Sequence, residues 1–103
     1  MKNCLTIAGS DCSGGAGIQA DLKTFSALGC YGMSVITSVF AENTHALLSS
    51  MSVSQEVIAD QLEAVFSDIR VDAVKIGVLP DTGAMRAVAA ALFKYLSLIH
   101  ISE

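Results

Sequence analysis

Between Leu5 and Ala8 the chain is apolar apart from Thr6, and Gly9 ends the run, which predicts a strand. From Gly17 the period changes. Ile18, Leu22, Phe25 and Leu28 recur at spacings of four and three, predicting a helix with Gly29 as its C′ residue. Met33–Phe40 (MSVITSVF) is rich in β-branched residues and reads as a second strand. A polar loop, ENTHA, leads into the irregular Leu47–Val53, read as a short strand. Ser54 then has the chemistry of an N-cap, with Glu56 favoured by the helix dipole and Ile58, Leu62, Val65, Phe66 and Ile69 on one face. Val71–Leu79 (VDAVKIGVL) reads as a third strand. Asp81 or Thr82 caps a last helix whose expected stripe is Met85, Val88, Ala89, Leu92 and Phe93.

The resulting order, β-α-β-(β)-α-β-α, predicts an α/β fold: a mostly parallel sheet with right-handed crossovers and helices packed on it. In open sheets of this kind ligands bind beyond the carboxyl ends of the strands. Three stretches are expected there, Gly9–Gly17, Ala41–Thr44 and Gly77–Asp81, sharing one edge and one pocket.

At 103 residues the chain is at most one small domain. Its net charge of −4 and six scattered basic residues argue against nucleic-acid binding. No apolar run approaches the roughly 20 residues of a membrane span, and the first residues carry no secretory pattern. Cys4, Cys12 and Cys30 are odd in number without a C-x-x-C spacing, which suits a reducing, cytoplasmic setting. His45 and His100 are isolated, so no metal site is expected.

The stretch GSDCSGGAG, residues 9–17, is the candidate for chemistry. No glycine is followed by lysine, so it is not a P-loop. Gly15-Ala16-Gly17-Ile18-Gln19-Ala20 fits a dinucleotide fingerprint, with Glu42 as its acidic residue. The five residues Ser10 to Gly14 nevertheless separate that match from the strand it must follow. A plain strand-to-helix turn accounts for some of the glycines, but four of them also admit close approach of a ligand to backbone. Asp21, one turn after Gly17, is either an exposed helix carboxylate or a group facing the strand ends.

LTIAGSDCSGGAGIQADLKTFSALGCYGMSVIT, together with AENT and VFSDIRVDAVKIG, resembles the hydroxymethylpyrimidine/phosphomethylpyrimidine kinases of thiamine biosynthesis, members of the ribokinase-like superfamily. The resemblance runs from Asn3 to Tyr95. It implies the N-terminal part of a ribokinase-like fold and ATP-dependent phosphorylation of 4-amino-5-hydroxymethyl-2-methylpyrimidine and then its monophosphate. It further implies that Gly9 lines the pyrimidine site, that Asp21 binds at the hydroxymethyl side, that Glu42 contacts the aminopyrimidine and that Val78 forms a wall.

Two of these depart from the family pattern: Glu42 stands where the family has glutamine in AQNT, and Val78 where it has methionine after KIG. Ionised Glu42 only accepts hydrogen bonds, which leaves a pyridoxal or pyridoxine kinase as the alternative. A dinucleotide-binding module and a non-catalytic interaction piece are the remaining classes. The resemblance implies ATP and Mg2+ as cofactors of a longer parent, a homo-oligomer whose further part holds the nucleotide site and the catalytic base. Residues 1–95 are therefore expected to be a truncated kinase domain with no catalytic or nucleotide-binding residue of its own, inactive alone. Residues 96–103 (LSLIHISE) read as a tail foreign to the family, with the look of translated sequencing adapter, in which Leu98, Ile99 and Ile101 have the composition of a short strand.

Overall fold

In this computed structural model, which describes residues 1–99, strands β1 (Asn3–Asp11), β2 (Tyr31–Glu42), β3 (Leu47–Ser52) and β4 (Ala73–Ile76) form one sheet in the order β3-β2-β1-β4. Helices α1 (Gly17–Ala27), α2 (Gln55–Phe66) and α3 (Thr82–Ile99) connect and follow them. β1 pairs in parallel with β2 and β4, while β3 returns antiparallel to β2. The predicted alternation therefore holds, with the one antiparallel strand supplied by the segment that read as irregular.

β1 is central and buried along almost its whole length, as a parallel strand covered on both faces requires. Its alternate residues sort the layers. Leu5 and Ile7 face a core completed by Met33, Val35, Ile58, Leu62, Ala84, Ala87 and Val88, from β2, α2 and α3. Thr6 lies on the opposite face, beneath α1. The helix ends use the expected devices. Cys30 N donates to Phe25 O and Gly29 N to Ser26 O, a Schellman closure around Gly29 at φ 76°. Ser54 Oγ accepts from Val57 N at 3.2 Å, and Asp81 Oδ1 accepts from Ala84 N at 2.8 Å.

β3 covers only the far half of β2, from Ser38 onward. Where β2 lacks that neighbour, Gln61 of α2 takes its place: its amide accepts from Ile36 N and donates to Ile36 O, both at 2.9 Å. Both exposed backbone groups of that residue are thereby satisfied.

Several expectations are corrected. The third strand is Ala73–Ile76 rather than Val71–Leu79, because beyond it only single backbone–backbone bonds, Asp72 N to Asn3 O and Gly77 N to Ile7 O, join it to β1. Leu28 is exposed at the end of α1. Of the stripe foreseen on α3, Val88 is buried and Leu92 half-buried, whereas Met85, Ala89 and Phe93 face outward, Phe93 being 80% exposed. The helix packs through small residues, Ala84, Ala87 and Ala91, which let it lie close to α2. Tyr95 stacks on Phe66, ring centroids 5.0 Å apart, and its hydroxyl meets Glu63. Leu98 and Ile99 belong to α3 and are not a strand; Ile101 and the rest of 100–103 lie outside the described residues.

Candidate functional site

The loop that follows β1 is braced from within. Asp11 Oδ1 accepts from Ser13 N at 2.9 Å and Ser13 Oγ at 2.7 Å, while Gly14 N donates to Asp11 O. Gln19 of α1 reaches back, accepting from Asp11 N and donating to Ser10 Oγ, both at 2.8 Å. Gly17 opens α1 at φ 61°, and a Cβ there would stand 2.3 Å from Gly9 O, so only glycine lets the helix start against the strand.

All three predicted strand-end stretches meet in one cavity of about 300 Å³. Gly9, Asp11, Ala16 and Gly17 come from the first, Glu42 from the second, Gly77 and Val78 from the third, with Phe40 and Lys75 from within the strands. Its walls are mostly apolar, with two carboxyls and one ammonium converging on it. That arrangement suits a small flat ring with polar substituents.

Gly9, Glu42 and Val78 thus share the cavity, Val78 at its open rim with 90% exposure. Asp21 does not line it. Its carboxylate lies under the sheet edge, where Oδ2 accepts from Thr6 Oγ1 at 2.6 Å and from Lys75 Nζ at 2.9 Å. Burial alone would raise the Asp21 pKa; the Thr6 hydroxyl and the Lys75 ammonium outweigh it and hold the carboxyl below the ordinary range. Lys75 is the link, bound to Asp21 on one side and lining the cavity on the other. Of the two readings left open for Asp21, the exposed helix carboxylate is therefore excluded.

Sequence reasoning passed over Asp11, Phe40 and Lys75 as cavity residues. The register supplies the missing signal. Thr6 pairs with Lys75, so both emerge on the α1 face; Asp11 pairs with Phe40, and Glu42 follows two residues later on that same face. Asp11 is 5% exposed, and hydrogen bonds from Ser13 keep its pKa low. Glu42 behaves oppositely: burial, then the charge and hydrogen-bonding contact of Asp11, push its pKa up.

Among the described residues no group of three or more His, Cys, Asp or Glu side chains is placed to hold a metal. Lys23 Nζ donates to Gly14 O in the glycine-rich loop, and Lys75 Nζ to Asp21. No described helix is long and apolar enough to cross a membrane.

A family model described as phosphomethylpyrimidine kinase matches residues 11–101. The chain belongs to the phosphomethylpyrimidine kinase family. The hydroxymethylpyrimidine/phosphomethylpyrimidine kinase of Escherichia coli is 57% identical over 93 residues, covering 90% of this chain and 35% of that protein. The crystal structure of phosphomethylpyrimidine kinase from Clostridium difficile superposes with a TM-score of 0.90 at 51% identity, covering 93% of this chain and 42% of that one. Bacillus subtilis pyridoxal kinase, solved as an ADP complex, superposes with a TM-score of 0.86 at 38% identity, over 93% and 38% of the two chains. The mostly parallel sheet is thus that of the ribokinase-like family of folds. The chain spans about a third of the length of the Escherichia coli and Salmonella typhimurium relatives, and less of several others.

Proposed function

We propose that the cavity is the pyrimidine-binding part of a hydroxymethylpyrimidine/phosphomethylpyrimidine kinase. Its substrates are 4-amino-5-hydroxymethyl-2-methylpyrimidine and the corresponding monophosphate, with ATP as the phosphoryl donor. The observation that carries this is the meeting of Gly9, Glu42 and Val78 in one cavity at the carboxyl edge of the sheet, in a chain of this family. Gly9 lets the ring lie against backbone, Phe40 and Val78 flank it, and Glu42 takes the aminopyrimidine edge. Asp21, charged and fixed by Thr6 and Lys75, lies outside the cavity and is assigned to the hydroxymethyl side through Lys75, which lines it. No step through the nucleotide is assigned to these residues, and the 103-residue chain alone is expected to bind without phosphorylating.

The pyridoxal reading has an observation of its own, since Bacillus subtilis pyridoxal kinase shares the fold at 38% identity. The higher identity to the pyrimidine kinases favours the first reading. The test is a competitive assay on the whole protein carrying this segment, offered the pyrimidine and pyridoxal together with ATP. A larger kcat/KM for the pyrimidine is expected; a preference for pyridoxal overturns the assignment.

A further inference from the structure

Asp11 and Glu42 are two carboxyls from adjacent strands on one cavity wall. Two such groups at close range resist carrying full charge together. Which of them gives way is decided by their other partners. Asp11 is the fixed anion, because Oδ1 holds both the backbone N–H and the hydroxyl of Ser13. Among the described residues no backbone N–H or hydroxyl donates to the Glu42 carboxyl in this way. The other groups facing it give little relief. From β4, Lys75 is committed to Asp21; from the loop, the Cys12 thiol donates to the Glu42 backbone carbonyl rather than to its carboxyl; paired β3 contributes only uncharged residues. From α1, Asp21 and Lys23 are each engaged elsewhere.

We propose that Asp11 is a positioning residue that keeps a proton on Glu42 when ligand binds, so that Glu42 offers one donor and one acceptor to an amidine-like edge, an exocyclic amine beside a ring nitrogen. The inference rests on the pyrimidine reading of the cavity and deepens it. The balance is simple: ionised Glu42, one proton from solvent and the neutral ligand give a complex in which the Glu42 hydroxyl donates to the ring nitrogen and its carbonyl oxygen accepts from the amine. A carboxylic acid in this state has the hydrogen-bonding pattern of the glutamine amide. Binding therefore takes up a proton, and affinity falls with rising pH by up to tenfold per unit once Glu42 is ionised in the free chain.

Two measurements on the 103-residue chain test this. The first needs no ligand: NMR titration of the side-chain carboxyls in the wild type and in Asp11→Asn. Glu42 is expected to titrate above the ordinary glutamate range and to fall toward it in Asp11→Asn; an ordinary value in the wild type, or no change in the variant, overturns the proposal. The second is calorimetry with 4-amino-5-hydroxymethyl-2-methylpyrimidine in buffers of differing ionisation heat, from pH 6 to 8. Proton uptake is expected in the wild type and absent in Glu42→Gln, whose affinity stays flat with pH. Binding without uptake in the wild type, or uptake persisting in Glu42→Gln, overturns it. Absence of binding alongside a high-titrating Glu42 overturns the pyrimidine reading, and the proposal falls with it.

Discussion

Replacing Gly17 with alanine probes the junction on which the cavity depends, and Gly29 provides the matched control. Both residues have positive φ, 61° and 76°. At Gly29 a Cβ meets nothing within 4 Å. Gly29→Ala therefore carries only the left-handed backbone penalty of about 1–2 kcal/mol, part of it offset by the stiffer unfolded chain, for a net loss of about 1 kcal/mol. At Gly17 the same Cβ stands 2.3 Å from Gly9 O and 3.3 Å from Asp11 N, backbone atoms fixed by β1. That is about 1 Å inside an ordinary carbon–oxygen approach, so the start of α1 must move away from the strand. The movement strains the two Gln19 bonds to Asp11 N and Ser10 Oγ, each contributing about 1 kcal/mol. Gly17→Ala is thus expected to lose about 3 kcal/mol. For a domain of this size the further loss of about 2 kcal/mol relative to Gly29→Ala lowers the melting temperature by roughly 10 °C. Urea unfolding followed by circular dichroism measures both variants. If they lose the same stability to within about 0.5 kcal/mol, the close packing of α1 on Gly9 is not what fixes the loop.

Lys75→Met removes one of the two groups that hold Asp21 ionised, at a loss of about 1 kcal/mol at neutral pH because the pair is partly exposed. Asp21 has a lowered pKa, so its contribution is present above the unfolded value and lost as pH falls through the folded one. The difference in urea midpoint between pH 7 and pH 3 should shrink in the variant, and an unchanged difference would count against the pairing. Gln61→Ala leaves Ile36 N and O without partners and should cost about 2 kcal/mol in the same assay; a loss under about 0.5 kcal/mol would mean that water replaces the amide without penalty. Leu92→Ala should destabilise by about 1–2 kcal/mol and Phe93→Ala by less than about 0.5, and the reverse order would restore the stripe that large apolar spacing suggested.

Legibility in the sequence followed the range of the interaction. Gly29, Ser54 and Asp81 were readable as helix punctuation because a cap acts within a few residues of itself. The three loops of the cavity were readable because alternation of strands and helices sends successive strand ends to one edge. On α3 the same reasoning chose the large apolar row, and packing chose the alanines, since close approach to α2 rewards small side chains there.

Local pattern by itself determined the order of elements, the caps and the edge at which the three loops meet; the likeness of GSDCSGGAG and its surroundings to a known family carries the proposal for the ligand. Tertiary structure decided the pairings across distance. Asp21 is joined to a lysine 54 positions away, which register with Thr6 brings under the same helix. Asp11 and Glu42 come together only because β1 and β2 run in parallel, in a register that sets Asp11 beside Phe40. A sequence names such groups singly, whereas their charge states depend on which neighbours the sheet sets beside them.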